Sequence, residues 1–192
     1  RNYGPFAAAD IDDDPYPEFA MVADFSMHAE VIDNDGERLS LLWLREIQPD
    51  PAQSTKVVRP RPSSLLDADG DGAVEVVYSI YDDTGDRRWH TVAIDALTGQ
   101  TRLDIPGHYL HGLHDIDGDG QPEWFLSEAA GEALPPFAPL TIWTVNAGEP
   151  VERWRHERAA FSSRPVSSLP LTVSTGAADG LRTTVAADAD GD

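Results

Sequence analysis

The sequence predicts an all-β protein, and more narrowly a partial β-propeller built from four-stranded blades. An acidic loop of constant spacing recurs along the chain, and a run rich in β-branched and aromatic residues follows its central copies. Between the loops lie alternating segments joined by glycine-bearing turns, which is typical of β-hairpins. No long amphipathic helical pattern occurs between them.

The recurring loop is clearest in its second and third copies, which begin at Asp67 and Asp115. Both place carboxylates at positions 1, 3, 5 and 9 and glycine at position 6. Alternate carboxylates converge when the chain curls around an ion, and glycine allows the positive φ of such a tight turn. Oxygen ligands without His or Cys favour Ca²⁺, with Mg²⁺ and Mn²⁺ as alternatives. The predicted ligands are the side chains of Asp67, Asp69, Asp71 and Glu75 with the carbonyl of Ala73, and those of Asp115, Asp117, Asp119 and Glu123 with the carbonyl of Gln121.

An EF-hand loop begins in the same way but differs after its ninth position. It needs a bidentate acid at position 12 and a following amphipathic helix. Position 12 is Tyr78 in the second loop and Leu126 in the third, and a strand-like run follows Glu75. The sequence therefore excludes an EF-hand.

The first and fourth copies are less regular. The first runs from Asp10 to Glu18 and has Pro15 where the central copies have glycine. Because proline cannot adopt a positive φ, we expect this loop either to form a different turn or to have lost its ion. The fourth copy stops at position 5, so we expect the chain to be part of a longer one. The candidate ligands here are Asp10, Asp12, Asp14 and Glu18 in the first loop, and Asp188, Asp190 and Asp192 in the fourth.

The hairpins complete a repeat of strand, acidic loop, strand, connection and hairpin. They are predicted at residues 29–43, 89–105 and 141–154. Residues 1–192 then form one propeller segment of about three blades and the start of a fourth, with blades starting near 10, 67, 115 and 188. Because a propeller needs at least four blades, the missing ones are expected from the rest of the chain or from a partner.

The charge pattern narrows the possible partners. The net charge is −20, which disfavours a nucleic-acid backbone and anionic lipid. No run of eighteen apolar residues occurs, so no direct membrane insertion is expected. Sixteen of the 34 carboxylates fall in the four loops, where they repel one another unless a cation is bound.

The loops resemble those of the FG-GAP/VCBS repeat family. The resemblance rests on Ala7-Ala8-Ala9-Asp10-Ile11-Asp12 and on Asp115-Ile116-Asp117-Gly118-Asp119-Gly120-Gln121-Pro122-Glu123-Trp124-Phe125. It implies a β-propeller like the integrin α-subunit head, with Ca²⁺ held in the loop that joins two strands of a blade. We therefore expect two to four calcium ions and an extracytoplasmic protein, whether secreted, periplasmic or on the cell surface.

The function expected from this resemblance is that of a binding or scaffold module for a protein or glycan partner, alone or as a subunit of a larger assembly. No catalytic residues are predicted. The alternative is the propeller of a polysaccharide lyase or another carbohydrate-active enzyme, because some polysaccharide lyases resemble this pattern. A lyase would need a basic residue beside a uronate, and Lys56 and scattered arginines are the few candidates.

Three histidines, His108, His111 and His114, precede the third loop and invite a second metal site. On a regular strand, His108 and His114 share one face and His111 lies on the other. The three are therefore not expected to converge on one ion.

Overall fold

The computed structural model describes residues 6–12, 14–23, 28–46, 57–58, 65–82, 85–132, 137–146 and 148–160. In these ranges the chain is all-β and contains no helix. Thirteen strands form three antiparallel sheets, which follow one another along the sequence. The predicted fold class is thus confirmed at the level of an all-β protein.

Sheet 1 is a four-stranded meander whose first two strands flank the first acidic loop. Its strands are β1 (Phe6–Ala9), β2 (Glu18–Ala23), β3 (His28–Asn34) and β4 (Leu39–Glu46). The turn between β3 and β4 holds Gly36 at a φ of 78°, as the alternating pattern and its glycine predict. Strand β4 forms an edge of the sheet and is exposed along most of its length.

Sheet 2 has the same plan, except that two short strands share the position beside its second strand. Its strands are β5 (Val57–Val58), β6 (Leu65–Leu66), β7 (Glu75–Tyr81), β8 (Trp89–Asp95) and β9 (Thr101–Pro106). Both β5 and β6 pair with β7, and the second acidic loop lies between β6 and β7. The hairpin of β8 and β9 confirms the one predicted at residues 89–105.

Sheet 3 is a second four-stranded meander. Its strands are β10 (His108–His114), β11 (Glu123–Glu128), β12 (Phe137–Asn146) and β13 (Glu149–Ala160). The third acidic loop joins β10 to β11, and the predicted hairpin at residues 141–154 is the centre of a longer pair, β12 and β13.

The sheets pack face to face mainly through two apolar cores, with a smaller cluster of Tyr81, Trp89, Tyr109 and Ala129 between sheets 2 and 3. The first core lies between sheets 1 and 2 and the second between sheets 2 and 3, so sheet 2 is buried on both faces. The first core contains Ala7, Ala20, Ala29, Val31, Leu65, Val76, Tyr78, Val92, Ile94 and Ala96. The second contains Ala68, Val77, Ala93, Leu103, Ile105, Leu110, Leu113, Trp124, Leu126 and Val145.

In all three sheets, the position of a residue after the glutamate that ends the acidic loop decides which neighbouring sheet its side chain faces. The second residue after that glutamate, Ala20 in sheet 1 and Val77 in sheet 2, faces the following sheet. The first and third residues face the preceding sheet, as Trp124 and Leu126 do in sheet 3. The described sheets thus form an open series in which each one repeats the packing of the one before.

The histidine prediction is wrong in one respect. A β-bulge between Leu110 and Gly112 inserts an extra residue into β10. The bulge reverses the alternation, so His108 lies against Trp143 on one face while His114 contacts Phe125 on the other. His111 is within 2.9 Å of the Ser127 hydroxyl, through Nε2. The three rings still do not converge.

Candidate metal centres

The three described acidic loops occupy equivalent places, because each joins an edge strand (β1, β6 or β10) to the strand that pairs with it (β2, β7 or β11). Each loop ends in a glutamate that is the first residue of the second strand. These glutamates, Glu18, Glu75 and Glu123, are almost completely buried, with exposed fractions of 0%, 0% and 4%. Buried glutamates at identical positions set these three loops apart, because the other buried acid described outside them, Asp95, is paired with Thr98 and Arg102.

Each buried glutamate folds back onto the start of its own loop. Its Oε2 accepts a hydrogen bond from the backbone N–H at position 2, which belongs to Ile11, Ala68 or Ile116. The three N···O distances are 2.8, 2.9 and 2.9 Å. The second glutamate oxygen, Oε1, is buried without a hydrogen-bond partner in Glu18 and Glu75.

The aspartates curl each loop by accepting hydrogen bonds from backbone N–H groups further along. Position 3 accepts from position 5 over 3.2 Å in all three loops. Position 5 accepts from position 7 over 2.6, 2.8 and 2.8 Å. In the second and third loops the position-1 aspartate also accepts from the glycines at positions 4 and 6. These bonds hold the carboxylates on the inside of the curl.

The central loops confirm that glycine supplies a positive φ at position 6. Gly72 and Gly120 have φ values of 90° and 91°. A second glycine at position 4, Gly70 or Gly118, has a φ of 75°. The positive φ at position 4 is a second requirement that was not predicted, although the Asp-Gly-Asp-Gly of both loops signals it.

The first loop keeps the same curl despite Pro15. Its bonds from Ile11 to Glu18, from Asp14 to Asp12 and from Tyr16 to Asp14 repeat those of the other loops. Proline has no N–H, so the bond from position 6 to position 1 cannot form. Among the described residues of the first loop, this is the contact that Pro15 removes.

The loops bring together most of the predicted side-chain ligands. One oxygen from each member of a trio lies within 4.8 Å of the others in all three loops. The trios are Asp10, Asp12 and Glu18; Asp67, Asp69 and Asp71; and Asp115, Asp117 and Glu123. The predicted carbonyl ligands at Ala73 and Gln121 remain predictions, and Asp188, Asp190 and Asp192 lie outside the described residues.

Burial and mutual repulsion make these loops unfavourable for free carboxylates. Burial, reinforced by the neighbouring aspartates, raises the pKa of Glu18, Glu75 and Glu123 above the ordinary glutamate value. The effect is largest in Glu75, whose pKa rises to about 8. Burial likewise raises the pKa of Asp69. The donor set is hard oxygen throughout, and a divalent cation would offset both the repulsion and the buried charge.

The second loop is also fixed from outside by sheet 3. Trp124 Nε1 donates a 2.9 Å hydrogen bond to the carbonyl of Ala68. The side chain of Gln121, in the third loop, packs against Gly70 so closely that a Cβ there would lie 2.6 Å from Gln121 Cδ. Neighbouring loops therefore contact each other at one end of the stacked sheets.

A further polar cluster, absent from the sequence analysis, joins the β7–β8 turn to β9. His90 lies between two carboxylates, with Nδ1 2.8 Å from Asp104 and Nε2 3.1 Å from Asp86. Asp82, Asp86 and His90 each offer a donor atom within 4.8 Å of the others. Only the pairing of β8 with β9 brings Asp104 to His90, so local spacing gives no signal for this cluster.

Comparison of the chain with models of known families, with curated proteins and with solved structures finds no match. Among the described residues, no helix is both long and apolar enough to cross a membrane. The loop geometry therefore carries the functional argument.

Proposed function

We propose that this chain is a calcium-stabilised segment of a β-propeller that acts outside the cytoplasm as a binding or scaffold module. The proposal rests chiefly on one observation, the buried glutamate that closes each described loop. Its Oε1 has no hydrogen-bond partner in Glu18 and Glu75. Burying a charged carboxylate with one oxygen unpartnered is costly, and a cation bound at that oxygen would offset the cost.

Calcium fits the donor set better than a transition metal does. The loops offer carboxylate oxygens and backbone carbonyls, with neither imidazole nor thiolate at any loop position. Ca²⁺ accepts six to eight such oxygens in flexible geometry, whereas Mg²⁺ demands a near-ideal octahedron. Loops whose aspartates are largely exposed, Asp69 excepted, suit the millimolar calcium found outside cells.

The order of the sheets supports a propeller segment. Three antiparallel sheets follow one another in sequence, and each packs face to face on the next in the same register. All three loops occupy the same place relative to their own sheets. Propellers are built by this kind of repetition.

The mechanism we propose is structural. Each ion would draw the aspartates of a loop toward the glutamate at the head of the second strand, and so fix the first two strands of a blade. The connections away from the ions are then free to contact a protein or a glycan. In this view calcium sets the shape of the surface and takes no part in chemistry.

Thermal melting of the full chain in EDTA and in increasing Ca²⁺ tests the metal part of the proposal. At a hundredfold excess over Kd, each occupied site stabilises the fold by about 2.7 kcal/mol. We expect the melting temperature to rise with Ca²⁺ and much less with equal Mg²⁺. A melting temperature unmoved by either ion contradicts the proposal.

The binding part needs a separate test. Immobilised chain is exposed to an extracellular protein extract and to a glycan array, each in Ca²⁺ and in EDTA. We expect retention that depends on Ca²⁺ and competes with soluble chain. Retention of nothing from either source, by a chain that calcium demonstrably stabilises, would reject the binding role and leave the metal sites standing.

A further inference from the structure

The second acidic loop is more deeply buried than the other two that the structure describes. Its position-3 aspartate, Asp69, is 7% exposed, whereas Asp12 and Asp117 hold the same position and are exposed. Its position-2 residue, Ala68, is 1% exposed, against 49% for Ile116 in the third loop. The difference has a source in the neighbouring loop, because side chains from the third loop and the strand after it contact the residues on either side of Asp69.

Two side chains at the end of the third loop make these contacts. Gln121, at position 7, packs on Gly70, where a Cβ would lie 2.6 Å from Gln121 Cδ. Trp124, the residue after the glutamate of the third loop, donates a 2.9 Å hydrogen bond to the carbonyl of Ala68. Trp124 is fully buried, so water does not compete for this bond. The two loops are thus joined by a packing contact and a buried hydrogen bond.

The same short segment also belongs to the third candidate site. The carbonyl of Gln121 is a predicted ligand, and its N–H donates over 2.8 Å to Asp119. Glu123 lies next to Trp124 in the chain. Pro122 is buried and has a fixed φ, which leaves the segment little freedom. An ion that draws Asp119 and Glu123 together would therefore fix the positions of Gln121 and Trp124.

The residues that receive these contacts are those that orient the carboxylates of the second loop. The N–H of Ala68 donates over 2.9 Å to Glu75 Oε2, and the other oxygen of Glu75 is buried without a hydrogen-bond partner. The N–H of Gly70 donates over 2.7 Å to Asp67 Oδ1. The third loop thus contacts the backbone groups that hold the position-1 and position-9 carboxylates of the second. This contact gives an ion in one loop a route to the other.

The residues that join the third loop to the second have no counterpart between the second loop and the first. Positions 7 and 10 of the second loop are Ala73 and Val76, and neither side chain has a hydrogen-bond donor. Val76 is buried in the first core, against which Ile11 of the first loop packs. An apolar contact of this kind fixes no backbone carbonyl. The first loop is therefore expected to bind its ion independently of the other two.

We propose that the second and third loops bind calcium as a coupled pair, in which an ion in either loop raises the affinity of the other. This proposal rests on the calcium sites proposed above. The first ion would order the segment from Gln121 to Trp124, so that the second ion binds a loop whose ligands are already held. Coupling between two sites is reciprocal, so the factor is the same whichever loop fills first, and factors of about 5 to 150 are typical.

Titration of the full chain with Ca²⁺, followed through backbone amide signals in nuclear magnetic resonance spectra, reports on the two loops separately. The N–H groups of Gly72 and Gly120 each donate over 3.0 Å to the position-1 aspartate of their own loop, so an ion there shifts the signal. Asp117→Ala removes a ligand from the third loop. We expect it to raise the Ca²⁺ concentration at the midpoint of the Gly72 transition by at least about fivefold. Asp69→Ala should raise the Gly120 midpoint by the same factor.

Two further variants locate the coupling. Asp12→Ala removes the equivalent ligand from the first loop and should leave the Gly72 and Gly120 midpoints where they are. Gln121→Ala removes the side chain that packs on the second loop but keeps the backbone carbonyl, so both loops should still bind Ca²⁺. In that background, Asp117→Ala should shift the Gly72 midpoint by a smaller factor than it does in the unaltered chain. Equal shifts in the two backgrounds would overturn the route through Gln121.

The glycine signals also separate a failure of the coupling from a failure of the calcium sites. A Gly72 midpoint that Asp117→Ala leaves unchanged would overturn the coupling and leave the calcium sites standing. Glycine signals that Ca²⁺ does not shift in the unaltered chain would overturn both proposals. The dispersion of the amide signals shows whether each variant is folded, and Asp117→Asn replaces Asp117→Ala if the alanine variant is unfolded.

Discussion

Trp124 Nε1 donates a 2.9 Å hydrogen bond to the carbonyl oxygen of Ala68, a residue of the second acidic loop, 56 positions earlier. The N–H of Ala68 donates in turn to Glu75 Oε2 over 2.9 Å. Ala68 is therefore held on one side by the glutamate of its own loop and on the other by the core of the next sheet. The packing of sheet 3 and the shape of the second candidate calcium site are coupled through one residue.

Replacing Trp124 by Phe should reduce both stability and calcium affinity. The substitution leaves the Ala68 carbonyl buried without its donor and a small cavity beside it, at a cost of about 2 to 3 kcal/mol. We expect a several-fold weaker Kd at the second loop, measured by calorimetric titration of Ca²⁺.

Trp89→Phe is the matched control for that prediction. Trp89 is also buried, and its Nε1 donates over 3.0 Å to the carbonyl of Gly131, away from the acidic loops. It should lose similar stability and keep its calcium affinity. Equal calcium affinities in the two variants would show that the Trp124 bond does not shape the loop.

Gly120→Ala tests the backbone requirement of the third loop. Gly120 has a φ of 91°, and a Cβ placed there meets no atom within 4 Å, so the penalty is conformational alone. We expect a loss of about 1 to 2 kcal/mol in chemical denaturation. Gly131→Ala, equally open but without a positive φ, should change stability by a few tenths of a kcal/mol in either direction. Similar losses in both variants would argue against backbone strain as the cause.

The sequence predicted the loops well because their chemistry is local. Carboxylates at positions 1, 3, 5 and 9 fold onto backbone groups no more than seven residues away, so spacing alone determines the curl. The same locality explains why the described bonds of the first loop form despite Pro15. Three of the bonds in the first loop avoid the N–H at position 6, and they survive its loss.

The sequence was a poor guide to side chains whose position depends on how neighbouring strands pair. The bulge between Leu110 and Gly112 places His108 and His114 on opposite faces, and a glycine inside β10 permits such a bulge without requiring one. The exposure of Trp154 was likewise not predictable from the sequence. The surrounding sequence does not distinguish Trp154 from Trp124, yet Trp124 is fully buried and Trp154 is 48% exposed, on β13, the last of the described strands.

His90 should make stability depend on pH near neutrality. Both ring nitrogens face carboxylate oxygens, of Asp104 and Asp86, and only the charged imidazolium donates to both. Burial lowers the pKa of His90, but these two carboxylates outweigh it and raise the pKa above its ordinary value of 6.5. A raised pKa in the folded state stabilises the fold below the unfolded pKa, and this stability is lost as pH rises through the folded pKa.

We therefore expect the free energy of unfolding to fall as pH rises from about 6 to 8, measured by urea denaturation at a Ca²⁺ concentration that saturates the loops, so that the raised pKa of Glu75 does not add to the slope. His90→Gln should flatten this slope, and Asp104→Asn should reduce it by removing the nearer carboxylate. His28→Gln, which changes a histidine of sheet 1, should leave the slope as it is. A slope that persists unchanged in His90→Gln would locate the titrating group elsewhere.

Glu75→Gln should have opposite effects with and without calcium. In EDTA at pH 9 the buried carboxylate is charged and faces three aspartates of its own loop, so a neutral amide should leave the melting temperature equal or higher. In saturating Ca²⁺ the variant lacks a charged ligand and should lose up to about 2.7 kcal/mol. For a chain of this size that corresponds to a melting temperature lower by roughly 5 to 10 °C.

Glu18→Gln extends this test to the loop that contains Pro15. Its buried glutamate has the same unpartnered Oε1 as Glu75, and its loop keeps the bonds that place Asp10, Asp12 and Glu18 together. We therefore expect Glu18→Gln, like Glu75→Gln, to leave the melting temperature equal or higher in EDTA and to lower it in Ca²⁺. Calorimetric titration should count one bound ion fewer. Glu149→Gln, at an exposed glutamate outside the loops, should change neither the melting temperature nor the number of bound ions. If Glu18→Gln behaves like Glu149→Gln while Glu75→Gln shows the reversal, the missing N–H of Pro15 is enough to abolish binding, and the curl of the first loop is maintained by its backbone bonds alone.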